Sequence, residues 1–284
     1  MKNVVVTGVS TGIGYALVKE LLDRGGYRVF GSVRKQADVD RLRADFGDGF
    51  VPLLFDVTDE DGVKTAVSQI KQTIGNDSLH ALVNNAGIST PGPLLHMPID
   101  DVRFQMEVNV IGLLNITQQL LPLLGATTST SSVSAHAPGR IINISSVSGK
   151  VVYPFMGAYA ASKHAVEAIS DALRRELMMY GIDVIVVEPG TTRTPIVGKF
   201  AEQVGQYADT DYGRMLSAIN ASIDERERNA IPVERVVDAI IDGMEKPNPK
   251  SRYAVPRKRW TGWIIPRLLP DRWFDKMIAK KLPS

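Results

Sequence analysis

Apolar residues gather in seven short unbroken runs, at 3–7, 27–33, 51–55, 79–84, 140–145, 183–188 and 252–255, and between the runs they recur every three or four positions. Unbroken runs predict strands covered on both faces, and the longer period predicts amphipathic helices packed over them. Strands alternating with helices define an α/β chain: a doubly wound seven-stranded parallel sheet with helices on both faces. Ligands of such sheets sit beyond the carboxyl ends of the strands. Gly8, Asp56, Asn85, Ser146 and Pro189 each follow a different predicted strand, so folding would draw them along one edge. Two stretches break the rhythm. Residues 125–139, rich in Ser, Thr, Ala and Gly, read as an inserted solvated loop. Residues 195–230, with Gly198, Gly205 and Gly213, read as a flap over a substrate.

The first run leads through a glycine turn into a helix, VVVTGVSTGIGYALVKELL. Gly8 permits the tight turn, Gly12 lets the backbone approach a pyrophosphate, and Gly14 lets the helix lie close to the sheet. The free N–H groups and positive dipole end of that helix then favour an anion. Cofactor choice turns on the end of the second strand, where an acidic side chain would bind the adenosine ribose of NAD. This chain has Val33 there, followed by Arg34 and Lys35. A guanidinium suits the 2′-phosphate of NADP(H), which is the expected cofactor, and the alternative for Arg34 is a solvated strand-end charge.

Farther along, Tyr159 and Lys163 stand four apart in a stretch of helical spacing, so both project from one face, and Ser146 precedes Tyr159 by thirteen residues. Together they can present a hydroxyl, a phenol and an ammonium to one carbonyl. A phenol ordinarily titrates near 10, and lowering that by about 3 units takes about 4 kcal/mol. A cation about 4 Å away in an effective dielectric near 20 supplies roughly that much. Lys163 is therefore expected to lower the Tyr159 pKa, while Ser146 holds the substrate oxygen and stabilises the charge developing on it.

Thr7-Gly8-x-x-x-Gly12-x-Gly14, Asn84-Asn85-Ala86-Gly87, Ser146, Tyr159-x-x-x-Lys163 and Pro189-Gly190 stand in that order over about residues 2–195. In this the chain resembles the short-chain dehydrogenases/reductases, with a weaker likeness to about 256. The resemblance implies a Rossmann-type fold and an oxidoreductase that moves a hydride between NADP(H) and a carbonyl or alcohol carbon, with Tyr159 as general acid/base. It implies a catalytic set of Asn109, Ser146, Tyr159 and Lys163, in which Asn109 completes a water-linked relay to Lys163. The cofactor residues it implies are Gly8, Ser10, Gly12, Ile13 and Gly14 at the turn, Arg34, then Asp56 and Val57 by the adenine. Asn85, Ala86 and Gly87 follow by the adenosine ribose, with Tyr159 and Lys163 at the nicotinamide ribose and Pro189, Gly190, Thr192 and Thr194 at the carboxamide. Asp56 reads equally well as a helix N-cap.

Substrate contacts are expected from Ser146, Tyr153 and Tyr159, because 151–156 (VVYPFM) forms an apolar wall beside the reacting centre. An apolar carbonyl or alcohol is favoured, such as a steroid, retinoid, terpene or lipid-like compound, and the segment 187–195 resembles the retinol and hydroxysteroid dehydrogenase branch. Homodimers or homotetramers, built through the helices around 102–124 and 156–180, are implied by the same resemblance. The competing reading is a non-catalytic dinucleotide-binding regulator or membrane-associated scaffold, against which the intact tetrad argues.

The chain has no cysteine, which removes disulfides and thiolate chemistry, and its four histidines lack metal-ligand spacing, so no metal is expected. The first strand begins too early for a cleavable presequence and no apolar run reaches about 18 residues, which predicts a cytoplasmic body. Charge changes the picture at the end. Residues 250–284 carry ten Lys or Arg against Asp271 and Asp275, a net of +8, while the rest of the chain is −6; all three tryptophans lie there too. Residues 1–256 are thus expected to form one dinucleotide-binding and catalytic domain, and 257–284 a basic amphipathic extension. Within it 271–282 reads as a helix with Trp273, Phe274, Met277 and Ile278 on one face. Such a helix suits peripheral contact with a membrane surface, or packing on the body or a second subunit. Nucleic acid is not expected, since no recognition motif accompanies the charge.

Overall fold

Strands β1 (Lys2–Val6), β2 (Tyr27–Val33), β3 (Phe50–Leu54), β4 (Leu79–Asn84), β5 (Arg140–Ile144), β6 (Asp183–Pro189) and β7 (Arg252–Val255) form one sheet, ordered β3-β2-β1-β4-β5-β6-β7, in a computed structural model. Every pairing is parallel. The structure describes residues 1–126, 137–193, 203–221, 228–280 and 282. The seven predicted strands are all present, with ends displaced by at most one residue. The largest part of the expected 125–139 loop and parts of the 195–230 flap lie outside the described residues.

Alternation within each strand divides the core into two layers. Val4, Val6, Ile142 and Ile185 point to one face, where they meet Leu17 and Leu21 of α1 (Gly12–Arg24), Leu42 of α2 (Gln36–Phe46), and Val236 and Ile240 of the helix Val233–Glu245. Val5, Leu82, Ile141 and Val184 point to the other. There they meet Ile70 of α3 (Glu60–Ile74), Ile116 and Leu120 of α5 (Gly112–Leu120), and Leu173 of α6 (Gly157–Glu176). Each such fully buried side chain contributes about 1.5–3 kcal/mol of transfer free energy, so helices on both faces are what make unbroken apolar strands stable.

Helix α4 (Ile99–Met106) runs into α5 through a π-helical turn at Glu107–Ile111 that carries Asn109. The C-terminal stretch bends as its prolines dictate. A π-helical turn at Trp260–Ile264 passes into a short helix at Ile265–Leu268, and Pro270 then caps the helix Asp271–Ala279. That last helix stops three residues short of the expected 282. Its expected apolar face is split: the Phe274 ring packs edge-on against Tyr153 at 6.1 Å, whereas Trp273 is turned outward and 67% exposed. Among the described residues no helix is long and apolar enough to cross a membrane.

Candidate active site

The strand order reverses between β1 and β4, and the glycine turn leaves β1 at that point. Gly8 and Gly12 take φ of +68° and +64°, conformations that side chains disfavour. A Cβ on Gly8 would stand 2.9 Å from the Ala86 Cα, and one on Gly14 would stand 2.4 Å from the Gly8 carbonyl oxygen. Both glycines are therefore demanded by the close meeting of the turn, α1 and the segment after β4. Thr7 and Asn85 latch that meeting. Thr7 Oγ1 accepts from the Asn85 and Ala86 N–H groups at 3.0 and 2.9 Å, and Asn85 Nδ2 donates to the Thr7 and Gly8 carbonyls at 2.8 and 2.9 Å. The Asn85 side chain, expected beside a ribose, is thus engaged in holding the turn. Ser32 Oγ accepts from the Gly8 N–H at 2.8 Å, and Arg41 donates to the Ser10 carbonyl at 2.8 Å.

Arg34 and Asp56 come together at the ends of β2 and β3, with Arg34 Nη1 3.8 Å from Asp56 Oδ2. Asp56 Oδ1 accepts from the Thr58 N–H and hydroxyl at 3.0 and 2.8 Å. It closes a local turn, and the N-cap of α3 is Asp59, so the capping alternative for Asp56 is corrected. Val57 is buried in the core, where it fills the space left by Gly112. Ile13 is half-buried in the first turn of α1. A bare glycine backbone at a helix start, with a mostly exposed guanidinium at the adjacent strand end, fits a dinucleotide carrying a 2′-phosphate.

Ser146 follows β5 and faces α6. Its hydroxyl accepts from the Ser148 N–H at 3.1 Å, donates to the Pro189 carbonyl at 3.4 Å, and shares a hydrogen bond with the Tyr159 phenol. Burial pushes the phenol's pKa up, and the bond to Ser146 opposes the rise. This corrects the expected lowering. The Lys163 ammonium is 5.8 Å from the Tyr159 ring centre and donates to the Ile144 carbonyl at 2.9 Å, so it is engaged with the backbone and desolvation sets the direction of the phenol's shift. Burial likewise brings Lys163 itself down to about 8, opposed by the charge of Glu167.

Asn109 clamps the turn after β4 to α6. It accepts from the Ile88 N–H at 2.8 Å and donates to the Ile88 carbonyl and Ser162 Oγ at 2.9 Å each, while Ser162 donates to the Tyr159 carbonyl at 2.7 Å. A Cβ on Gly87 would stand 3.2 Å from Asn109 Oδ1 and 3.6 Å from Lys163 Nζ, so the ammonium borders the glycine-lined crevice.

Pro189 and Gly190 close the far side, with the Gly190 N–H donating to the Val255 carbonyl at 2.9 Å and Thr192 Oγ1 donating to the Gly190 carbonyl at 2.9 Å. Thr194 lies outside the described residues. The expected apolar wall divides: Val152 and Tyr153 are exposed, whereas Phe155, at φ +66°, is buried against Tyr207 and Leu216 beneath the flap. Thr7, Ser32, Arg41 and Ser162 were not singled out as site residues from the sequence. Only Thr7, as part of the glycine motif, carried a signal there.

Residues 2–205 match the family described as short chain dehydrogenase. The chain is 44% identical over 282 residues to the NADPH-dependent 3-dehydrocapnine reductase of Ornithobacterium rhinotracheale, covering 99% of this chain and 98% of that one. It is 40% identical over 190 residues to retinol dehydrogenase 16 of Mus musculus, covering 66% and 56%. A short chain dehydrogenase from Burkholderia cenocepacia J2315, solved in complex with NADP, superposes with a TM-score of 0.71 at 26% identity over the whole of both chains. With the glycine turn, the serine, the tyrosine and the lysine on one sheet edge, this chain belongs to the short-chain dehydrogenase/reductase family.

Proposed function

We propose that the chain is an NADP(H)-dependent oxidoreductase that reduces the carbonyl of an apolar, lipid-like substrate, with residues 1–256 as the binding and catalytic unit. The hydrogen-bonded Ser146–Tyr159 pair at the crevice that Lys163 borders carries this reading. When bound, the dinucleotide supplies the hydride. Gly8, Gly12, Gly14, Asn85 and Ala86 offer the backbone it lies on, Arg34 its 2′-phosphate partner, and Pro189, Gly190 and Thr192 the border of its nicotinamide end. Ser146 positions the substrate oxygen. Tyr159, protonated at neutral pH, gives that oxygen its proton, and the Lys163 ammonium stabilises the phenolate left behind. The relative's dependence on NADPH supports the cofactor, and the half-exposed Tyr153–Phe274 wall supports an apolar substrate.

The exposed Trp260, Leu268 and Trp273 on a basic extension support peripheral contact with an anionic membrane surface. Phe104, Ile111, Met178 and Met179, exposed around α4, α5 and the end of α6, support a homodimer or homotetramer. Oxidation of NADPH against a panel of steroid, retinoid and long-chain ketones tests the central reading. Turnover with NADPH well above that with NADH is expected, and Arg34→Asp should shift preference toward NADH. A clear NADH preference, or activity confined to sugars and charged acids, rejects it.

A further inference from the structure

Behind the catalytic face lies a set of charges with no part in the chemistry above. Glu167 stands one helical turn beyond Lys163 on α6, and Glu188 stands beside Pro189 in β6; their side chains are 3% and 1% exposed. Glu167 Oε2 accepts from Arg252 Nε at 3.0 Å and lies 3.2 Å from Lys150 Nζ, while Glu188 Oε1 lies 3.7 Å from the same Arg252 Nε. Arg252 also binds Asp171 Oδ1 at 2.8 Å, an oxygen held by Arg174 at 3.0 Å, with Arg175 3.9 Å from the other oxygen. Charged groups thus face the two glutamates from α6 (Lys163 and Asp171), from the turn after β5 (Lys150) and from β7 (Arg252). Glu167 Oε1 and Glu188 Oε1 are buried without a donor from any other described residue. Two buried carboxylates that meet at the same Arg252 Nε, with Asp171 drawing on that guanidinium as well, penalise one another when both are ionised. A single proton between them satisfies the orphaned oxygens.

We propose that Glu167 and Glu188 share one proton across the gap between α6 and β6, and that this pair is a positioning unit that sets the charge on Lys163 and ties the Pro189–Gly190 segment to the catalytic helix. Burial, and then the charge of Glu167, push Glu188 up to about 7, and Glu167 is the anion that holds the Lys163 proton against burial. Release of the shared proton near neutrality therefore strengthens the ammonium beside Tyr159. Neither glutamate touches the reacting atoms.

Two measurements test this. Carboxyl-carbon NMR of the full chain labelled at glutamate should show one resonance titrating near neutrality, lost in Glu188→Gln; if every glutamate titrates below about pH 5, its ordinary range, no shared proton exists. That readout needs no turnover, so it fails independently of the reductase reading, and the wild-type titration decides even if the variant does not fold. In kinetics, Glu167→Gln should move the alkaline limb of kcat/KM to lower pH, and Glu188→Gln should move it the same way by less. Profiles that superpose on wild type overturn the link to Lys163.

Discussion

Burial acts on the protons of Tyr159 and Lys163 in opposite senses. The phenol is pushed up, and so stays protonated across the neutral range; the ammonium is pushed down, to about 8. Tyr159→Phe removes the only proton the proposed chemistry passes to substrate. Its turnover is expected to fall by roughly 10²–10⁴-fold, while NADPH binding followed by fluorescence is retained; turnover near wild type would remove Tyr159 from the acid role. Because Lys163 loses its charge as pH rises through about 8, kcat/KM for carbonyl reduction should fall on that limb, and an unbroken plateau to pH 10 would contradict it. Glu188 behaves in the opposite sense to a salt-bridged acid. Its pKa is raised above the unfolded value, so its contribution to stability is greatest below the unfolded pKa and is lost as pH rises to about 7. Glu188→Gln should therefore gain in Tm relative to wild type across that interval and hold the gain above it, as a thermal melt at pH 5 and at pH 8 would show.

At the scale of elements, the junction of β1, α1 and the end of β4 is where geometry is least forgiving. Thr7→Val leaves the Ala86 N–H without its acceptor beside the buried Thr7, a loss of about 1–3 kcal/mol, while the Asn85 N–H keeps the Val83 carbonyl at 3.0 Å. Gly8→Ala adds, in a turn at φ +68°, a Cβ that would stand only 2.9 Å from the Ala86 Cα. Both variants should bind NADPH more weakly and melt earlier in calorimetry. A Gly8→Ala protein with unchanged affinity would show that the turn does not line the cofactor crevice. The strands were legible because buried parallel strands must be apolar throughout, and their ends shifted by only one residue. The latch was not, since Thr7 and Asn85 are 78 positions apart and neither carries a pattern that names the other.

Across the whole molecule, the extension is where a sequence pattern divided on folding. Trp273, Phe274, Met277 and Ile278 were expected on one apolar face, yet Phe274 packs against Tyr153 while Trp273 is outside, as is Trp260. The proposed membrane contact rests on exposed tryptophans in a stretch of net charge +8, so it is expected to weaken as salt rises. Flotation with phosphatidylserine vesicles should carry the protein at low salt, and the pair Trp260→Ala with Trp273→Ala should abolish it without lowering Tm. A wild-type chain that stays in the dense fraction would leave the extension to packing alone. The chain's sequence determined the sheet, its faces, the glycine turn and the serine, tyrosine and lysine, because each depends on short-range periodicity or on residues at fixed local spacing. Only the tertiary structure decided which groups lose water together. It raised the pKa of the phenol, brought that of the lysine down to about 8 and enclosed Glu167 with Glu188, because desolvation depends on distant segments closing over a group, which local order along the chain does not encode.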